Sequence, residues 1–290
     1  MLRMPLRFLL VLSLSPAYAA QIPSNTYAQE LLSQVARQNP SVLSMAIIAT
    51  PPKASQSAIL ASTNRNEVGK TPASAELAMV KPDETSSKVS ADGSRLEFDL
   101  ALHDVGNSTI GVLHLSYPYH AGSDRSTVEH DALKIRDALH RRISHVGNLL
   151  DPFPYETDAP TDTYAQKLVD EFILKYPEIE ILAIHVTPPD SDYNVIAGSN
   201  IGRVGKKADN DDMRCVYTGK PNLEINSTGT RFESEMQLHD RGGAVIGAVG
   251  IVVAYKSGDD KEVLHARAER IKADLETRIM DAASLFQPAR

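Results

Sequence analysis

The sequence predicts an α+β protein built from two tandem sister domains, each an antiparallel sheet flanked by N- and C-terminal helices. Three observations predict it. The chain repeats itself at an offset of 136–137 residues, both copies alternate helical stripes with β-rich runs, and a Pro-rich segment lies between them. Thr26-Tyr27-Ala28-Gln29 recurs as Thr163-Tyr164-Ala165-Gln166, Thr50-Pro51-Pro52 as Thr187-Pro188-Pro189, and Val68-Gly69-Lys70 as Val204-Gly205-Lys206. Further on, Leu102-His103-Asp104-x-Gly106 recurs as Leu238-His239-Asp240-x-Gly242, and Ile135, Leu139 and Ile143 as Ile271, Leu275 and Ile279. So long a period marks a domain duplication, because solenoid units run to about 20–50 residues. Asp151-Pro152-Phe153-Pro154-Tyr155 is the natural joint, since proline fixes φ and discourages helix. The expected organisation is therefore a leader at 1–19 and domains at 20–153 and 154–290.

Each element follows from its pattern. In residues 1–19, Arg3 and Arg7 precede a short apolar run from Phe8 to Leu14, and small residues stand at Ala17 and Ala19. That is the layout of a secretory signal peptide, with cleavage expected before Ala20 and a mature protein expected in the periplasm or secreted. Its loss takes the formal charge from −7 to −9. An acidic chain argues against nucleic acid as a partner, and no transmembrane span is expected in the mature chain. Cys215 is the only cysteine, which excludes an intrachain disulfide and a Cys-rich metal site.

Each copy then opens with an amphipathic helix, carried by Tyr27, Leu31, Leu32 and Val35 and by Leu168, Val169, Phe172 and Ile173. Two strands follow, 44–50 with 57–62 and 180–187 with 194–199. A polar connection of about 30 residues, 64–93 and 200–229, carries no sustained period, and loops of that length are functional or partly helical. A second hairpin turns at His-Asp-x-Gly, over 95–117 and 231–255. A helix closes each copy, its buried face marked in the second by Leu264, Ala268, Ile271 and Leu275.

Three pieces of the second copy resemble the PAS-like fold of extracytoplasmic Cache sensor domains. They are Ala197-Gly198-Ser199-Asn200-Ile201-Gly202-Arg203-Val204-Gly205-Lys206, where a strand ends and the chain turns through a Gly-Lys pair, the hairpin Leu238-His239-Asp240-Arg241-Gly242, and the strand Ile246-Gly247-Ala248-Val249-Gly250-Ile251. The resemblance implies a sensory module that binds a small polar or anionic molecule and signals to a partner, such as a membrane-bound signalling protein. It also implies a pocket wall near Arg214, Tyr217, Lys220 and Arg231.

The chemistry-bearing residues leave several readings open. Arg214 and Arg231 suit a carboxylate and Tyr217 suits stacking or hydrogen bonding. Lys206, beside Gly205, offers a cation and backbone amides to an anion, although a glycine turn explains the pair more readily. His103 and His239, each next to an Asp, are candidate metal ligands, against the simpler reading of a hairpin turn. His185 stands in a strand where the first copy has Ile48, and it faces either a pocket or the core. Asp209, Asp211 and Asp212 suit a hard cation or merely a helix start. His114, His120, His130, His140 and His145 enrich the first copy. No spacing calls for haem, and no cofactor is specified. The patterns Gly-x-Ser-x-Gly and His-Glu-x-x-His are missing, so the expectation is a non-catalytic ligand-binding protein. Its rivals are a pseudo-dimeric structural protein and a periplasmic haem- or metal-binding protein.

Overall fold

The structure, a computed structural model, describes residues 22–72 and 85–289. The expected leader and its cleavage site lie outside these residues, as does the middle of the first long connection. Each repeat forms one five-stranded antiparallel sheet. In the first, α1 (Tyr27–Gln38) precedes β1 (Ser44–Ala49) and β2 (Ala58–Ser62); β3 (Thr85–Val89), β4 (Arg95–His103) and β5 (Thr109–Pro118) then lead into α2 (Arg125–His140). In the second, α3 (Tyr164–Lys175) precedes β6 (Ile179–Val186) and β7 (Val195–Ser199), and α4 (Asn210–Thr218) lies in the long connection. There follow β8 (Asn222–Ile225), β9 (Arg231–His239), β10 (Val245–Ala254) and α5 (Lys261–Glu276). The orders β2-β1-β5-β4-β3 and β7-β6-β10-β9-β8 are the same, with the first strand of each repeat beside its last.

The repeated Thr-Tyr-Ala-Gln motif explains how each unit closes. Thr26 and Thr163 are N-caps, accepting from the Gln29 and Gln166 amides at 3.4 and 3.2 Å. The glutamine side chains then accept from the last residues of β2 and β7, Ser62 N and Ser199 N, at 3.2 and 3.1 Å. One motif therefore caps a helix and ties it to the sheet.

Both terminal helices of a repeat cover the same face of its sheet. Leu32, Leu60, Phe98, Leu113 and Leu139 make the first core, and Phe172, Leu182, Phe232, Ile251 and Leu275 the second. Strand period puts alternate residues on opposite faces, so Phe232, Met236 and Leu238 point into the second core while Glu233, Glu235 and Gln237 belong to the face away from α3 and α5. The His-Asp-x-Gly segments are turns: Asp104 Oδ1 accepts from Gly106 N and Ser108 N at 2.9 and 3.0 Å, and Asp240 Oδ1 from Gly242 N and Ala244 N at 2.8 and 3.0 Å. The Gly-Lys segments are turns as well. Gly69 and Gly205 adopt φ of 84° and 83° and donate to Ile59 O and Ile196 O, so these amides are already used.

The two units meet through polar contacts. The Tyr27 hydroxyl lies 3.0 Å from both Arg142 O and Asn200 O. Asn200 Nδ2 donates to Arg141 O at 2.8 Å, and Asn148 Nδ2 to Ile201 O at 3.0 Å. Arg231 Nε donates to Glu180 at 2.8 Å, its Nη1 donates to Ser144 O at 3.1 Å, and its Nη2 stands 3.6 Å from Asp104. The segment that leaves β7 is thus the segment that docks the first unit. No helix of the described residues is long and apolar enough to cross a membrane.

Candidate functional site

The face of the second sheet turned away from its terminal helices is covered by α4. Asp209 caps this helix, accepting from Asp211 N and Asp212 N at 2.9 and 3.2 Å, while Asp209 N donates to Asp212 Oδ2 at 2.7 Å to complete a capping box. Gly219 ends it at φ 67°. Two contacts press it onto β9: Gln237 Nε2 donates to Val216 O at 2.7 Å, and the Cys215 thiol to Glu235 O at 3.4 Å. Burial, then the nearby Glu235, pushes the Cys215 thiol up to about 11, so it stays protonated and unreactive.

Beneath the first turn of α4, three side chains from three elements converge. His185 comes from β6, Asp212 from α4 and Glu235 from β9, with one donor atom of each within 4.8 Å of the others. Among the described residues this is the one such cluster of three or more. His185 is 8% exposed and Glu235 4%. His185 Nδ1 lies 3.4 Å from Asp212 Oδ2 but is not aligned with it as a hydrogen bond, and both this nitrogen and Glu235 Oε1 are buried without a hydrogen-bond partner. A buried polar atom left unpaired costs about 1–3 kcal/mol.

The electrostatics follow from two carboxyls in one buried place. Burial raises Glu235, and the neighbouring Asp212 carboxyl raises it further. Burial also works against the charge on Asp212, but the neighbouring His185 and Glu235 outweigh it and hold that carboxyl below its ordinary range. Glu233, the next acid on this face of β9, is raised by burial.

Of the residues singled out by sequence, His185 and Asp212 are brought together here. The pocket wall expected from Arg214, Tyr217 and Arg231 does not assemble. Arg214 points to Asp211 at 2.9 Å and Asn222 at 3.2 Å on the outside of α4, Tyr217 is 78% exposed, and Arg231 is bound into the joint between the units. Lys206 is exposed beside a glycine whose amide is taken. His239 Nδ1 lies 2.9 Å from Glu276 on α5, so it clasps a helix to its sheet. His103, at the matching place, neighbours His140 on α2. These two histidines stand apart from the cluster under α4.

Glu235 carries no mark in a motif search. Its signal is subtler: it occupies the position of Asp99 in the first copy, an acid at the centre of a strand whose other face is apolar.

No protein-family model matches the chain, and no curated protein does. Among solved structures, a domain assigned to the IclR family of transcriptional regulators is similar at 13% identity, covering 41% of this chain and 97% of its own, with a TM-score of 0.27. That score carries no argument about function. A groove of about 390 Å³ runs along α3 between Asp162 and Leu174, lined by none of the three residues clustered under α4.

Proposed function

We propose that the chain is an exported, non-catalytic sensory protein of two tandem PAS-like domains, with the ligand site of the second under α4. The carrying observation is the convergence of His185, Asp212 and Glu235, two of them buried with an unpaired polar atom, where the long connection folds back onto the sheet. The sheet arrangement supports the PAS-like reading, because in each unit the first hairpin and the later strands are separated in sequence by a long connection and joined side by side in space.

A route for the signal is supported by the chain between site and joint. Residues 200–209 run from the contacts with Tyr27, Arg141 and Asn148 to the cap of α4. Arg203 sits on this run, with Nε 3.6 Å from Asp151 in the Pro-rich segment. A ligand that draws α4 toward the sheet pulls on the same segment that holds the first unit, and a partner, in this reading a membrane-bound signalling protein, reads the changed angle.

A structural role, in which the halves pack as a pseudo-dimer without a ligand, draws on the dense polar joint but leaves the unpaired atoms under α4 unexplained. Thermal-shift screening of the mature protein against divalent metals, amino acids, carboxylates, purines and haem tests the choice. A compound at about 100 times its Kd adds about 2.7 kcal/mol. A shift that disappears in Glu235→Gln supports the site under α4; a panel without any such shift sinks the sensory reading.

A further inference from the structure

We propose that the group held under α4 is a divalent transition-metal ion bound by His185 Nδ1, Asp212 and Glu235. This rests on the reading of that site given above and names its ligand class.

Geometry argues for it first. Donors bound at about 2.1 Å to a tetrahedral ion stand about 3.4 Å apart, and His185 Nδ1 is 3.4 Å from Asp212 Oδ2. The two atoms are at bonding distance for a shared centre, yet not aligned on each other. Glu235 Oε1 is likewise buried and unpaired, and all three donors fall within 4.8 Å. Closing that spacing onto an ion asks only for side-chain movement.

Charge argues in the same direction. With Glu235 giving up its proton as a cation binds, two carboxylates and an imidazole match a divalent ion and disfavour an anionic molecule, and the arginines that suggested an anion, Arg214 and Arg231, are engaged elsewhere. An imidazole nitrogen in the set favours Zn²⁺ and its transition-metal neighbours over Mg²⁺ and Ca²⁺, which prefer oxygen alone. Cys215 adds no thiolate, since its sulfur is turned to Glu235 O. The backbone amide of Asp209 donates to Asp212 Oδ2 at 2.7 Å and fixes that ligand's orientation, as outer contacts do in metal sites. Three protein ligands leave one position for water, and Asp212, with its side chain 15% exposed, gives the path to solvent.

The test uses untagged full-length mature protein, stripped with a chelator and titrated calorimetrically with ZnCl₂ and separately with MgCl₂. Expected are one zinc per chain, no comparable heat from magnesium, and an affinity weakened at least about 100-fold in both His185→Ile and Glu235→Gln. Circular dichroism establishes that each variant is folded. His185→Ile places the first copy's own residue in the strand, which guards against a variant that simply fails to fold. Absence of zinc binding, or zinc binding of undiminished affinity in both variants, overturns the metal. In that event a non-metal compound whose thermal shift is lost in Glu235→Gln leaves the site standing with another ligand, and no such compound removes the site as well.

Discussion

The same face of the two sister sheets has been finished in two different ways. On β4 of the first unit, Asp99 is paired across the sheet with His114 on β5, and His114 Nδ1 meets Asp99 Oδ1 at 2.7 Å. On β9 of the second unit, Glu235 takes the place of Asp99, but its partner across the sheet is Gly250. The histidine has moved one strand over: His185 stands where the first copy has Ile48, beside Ala248 where the first copy packs Ile48 on Val112. The first arrangement joins acid and imidazole directly. The second separates them, adds Asp212 from α4, and leaves atoms facing a common centre. Similar residue types thus give a closed pair in one domain and an open set of ligands in the other, and the difference lies in which strand supplies the imidazole.

The largest effect expected from breaking this comparison is at the joint rather than the site. Arg231 holds Glu180 and the buried Asp104, whereas Arg95, its counterpart, is exposed. Removing one partner of a buried ion pair costs about 3–5 kcal/mol. Chemical denaturation should show Arg231→Met destabilised by about 3 kcal/mol, with Arg95→Met within about 0.5 kcal/mol of the parent, as surface changes are. Equal small losses would mean that Arg231 does not organise the joint.

Next in size is the contrast between the acids. Glu235→Gln should lower zinc affinity at least about 100-fold, and Asp99→Asn, read in the same calorimeter, should leave it unchanged. Smaller again is the stability of the metal-free protein. His185→Ile replaces an imidazole that has an unpaired buried nitrogen by the sister residue, so its melting temperature without zinc should be no lower than the parent's, while the stabilisation by zinc is lost.

The smallest effect is on acid response, where the helix clasps differ. Burial, then His103 and Arg141, lowers His140 on α2, against the weaker opposing pull of Asp104. The unfolded chain therefore takes up the proton more readily, and stability from this group is lost as pH falls below 6.5. Its counterpart Glu276 is buried, which alone would raise it, but His239 and Lys272 outweigh burial and lower it, so its contribution is present above 4.5 and lost as pH falls below that value. Hydrogen exchange should show the end of α2 loosening once pH falls below 6.5, while the end of α5 stays protected until pH falls below 4.5. Simultaneous loosening would erase this distinction.

Much of this fold was legible in the chain. The Thr-Tyr-Ala-Gln repeat announced both opening helices, the apolar stripes their buried faces, and Asp-x-Gly the turns. Strands β3 and β8 were not legible, because edge strands such as Thr85–Val89 bury little and are written in polar residues. The site was half legible: His185 and the Asp cluster were marked by their departure from the first copy. Glu235 was hidden because convergence of β6, β9 and α4 is a property of tertiary packing. The same reason misdirects Arg231, whose charge looks like a ligand clamp until the first unit is docked against it.

One measurement bears most directly on the claim that the second open face, and not the first, is built for a metal ion. It is the zinc anomalous difference map of crystals of the mature protein grown with one equivalent of ZnCl₂. The account predicts a single strong peak about 2.1 Å from His185 Nδ1 and from carboxylate oxygens of Asp212 and Glu235. A map empty beneath α4, or one whose strong peak lies at His114 and Asp99, would contradict it.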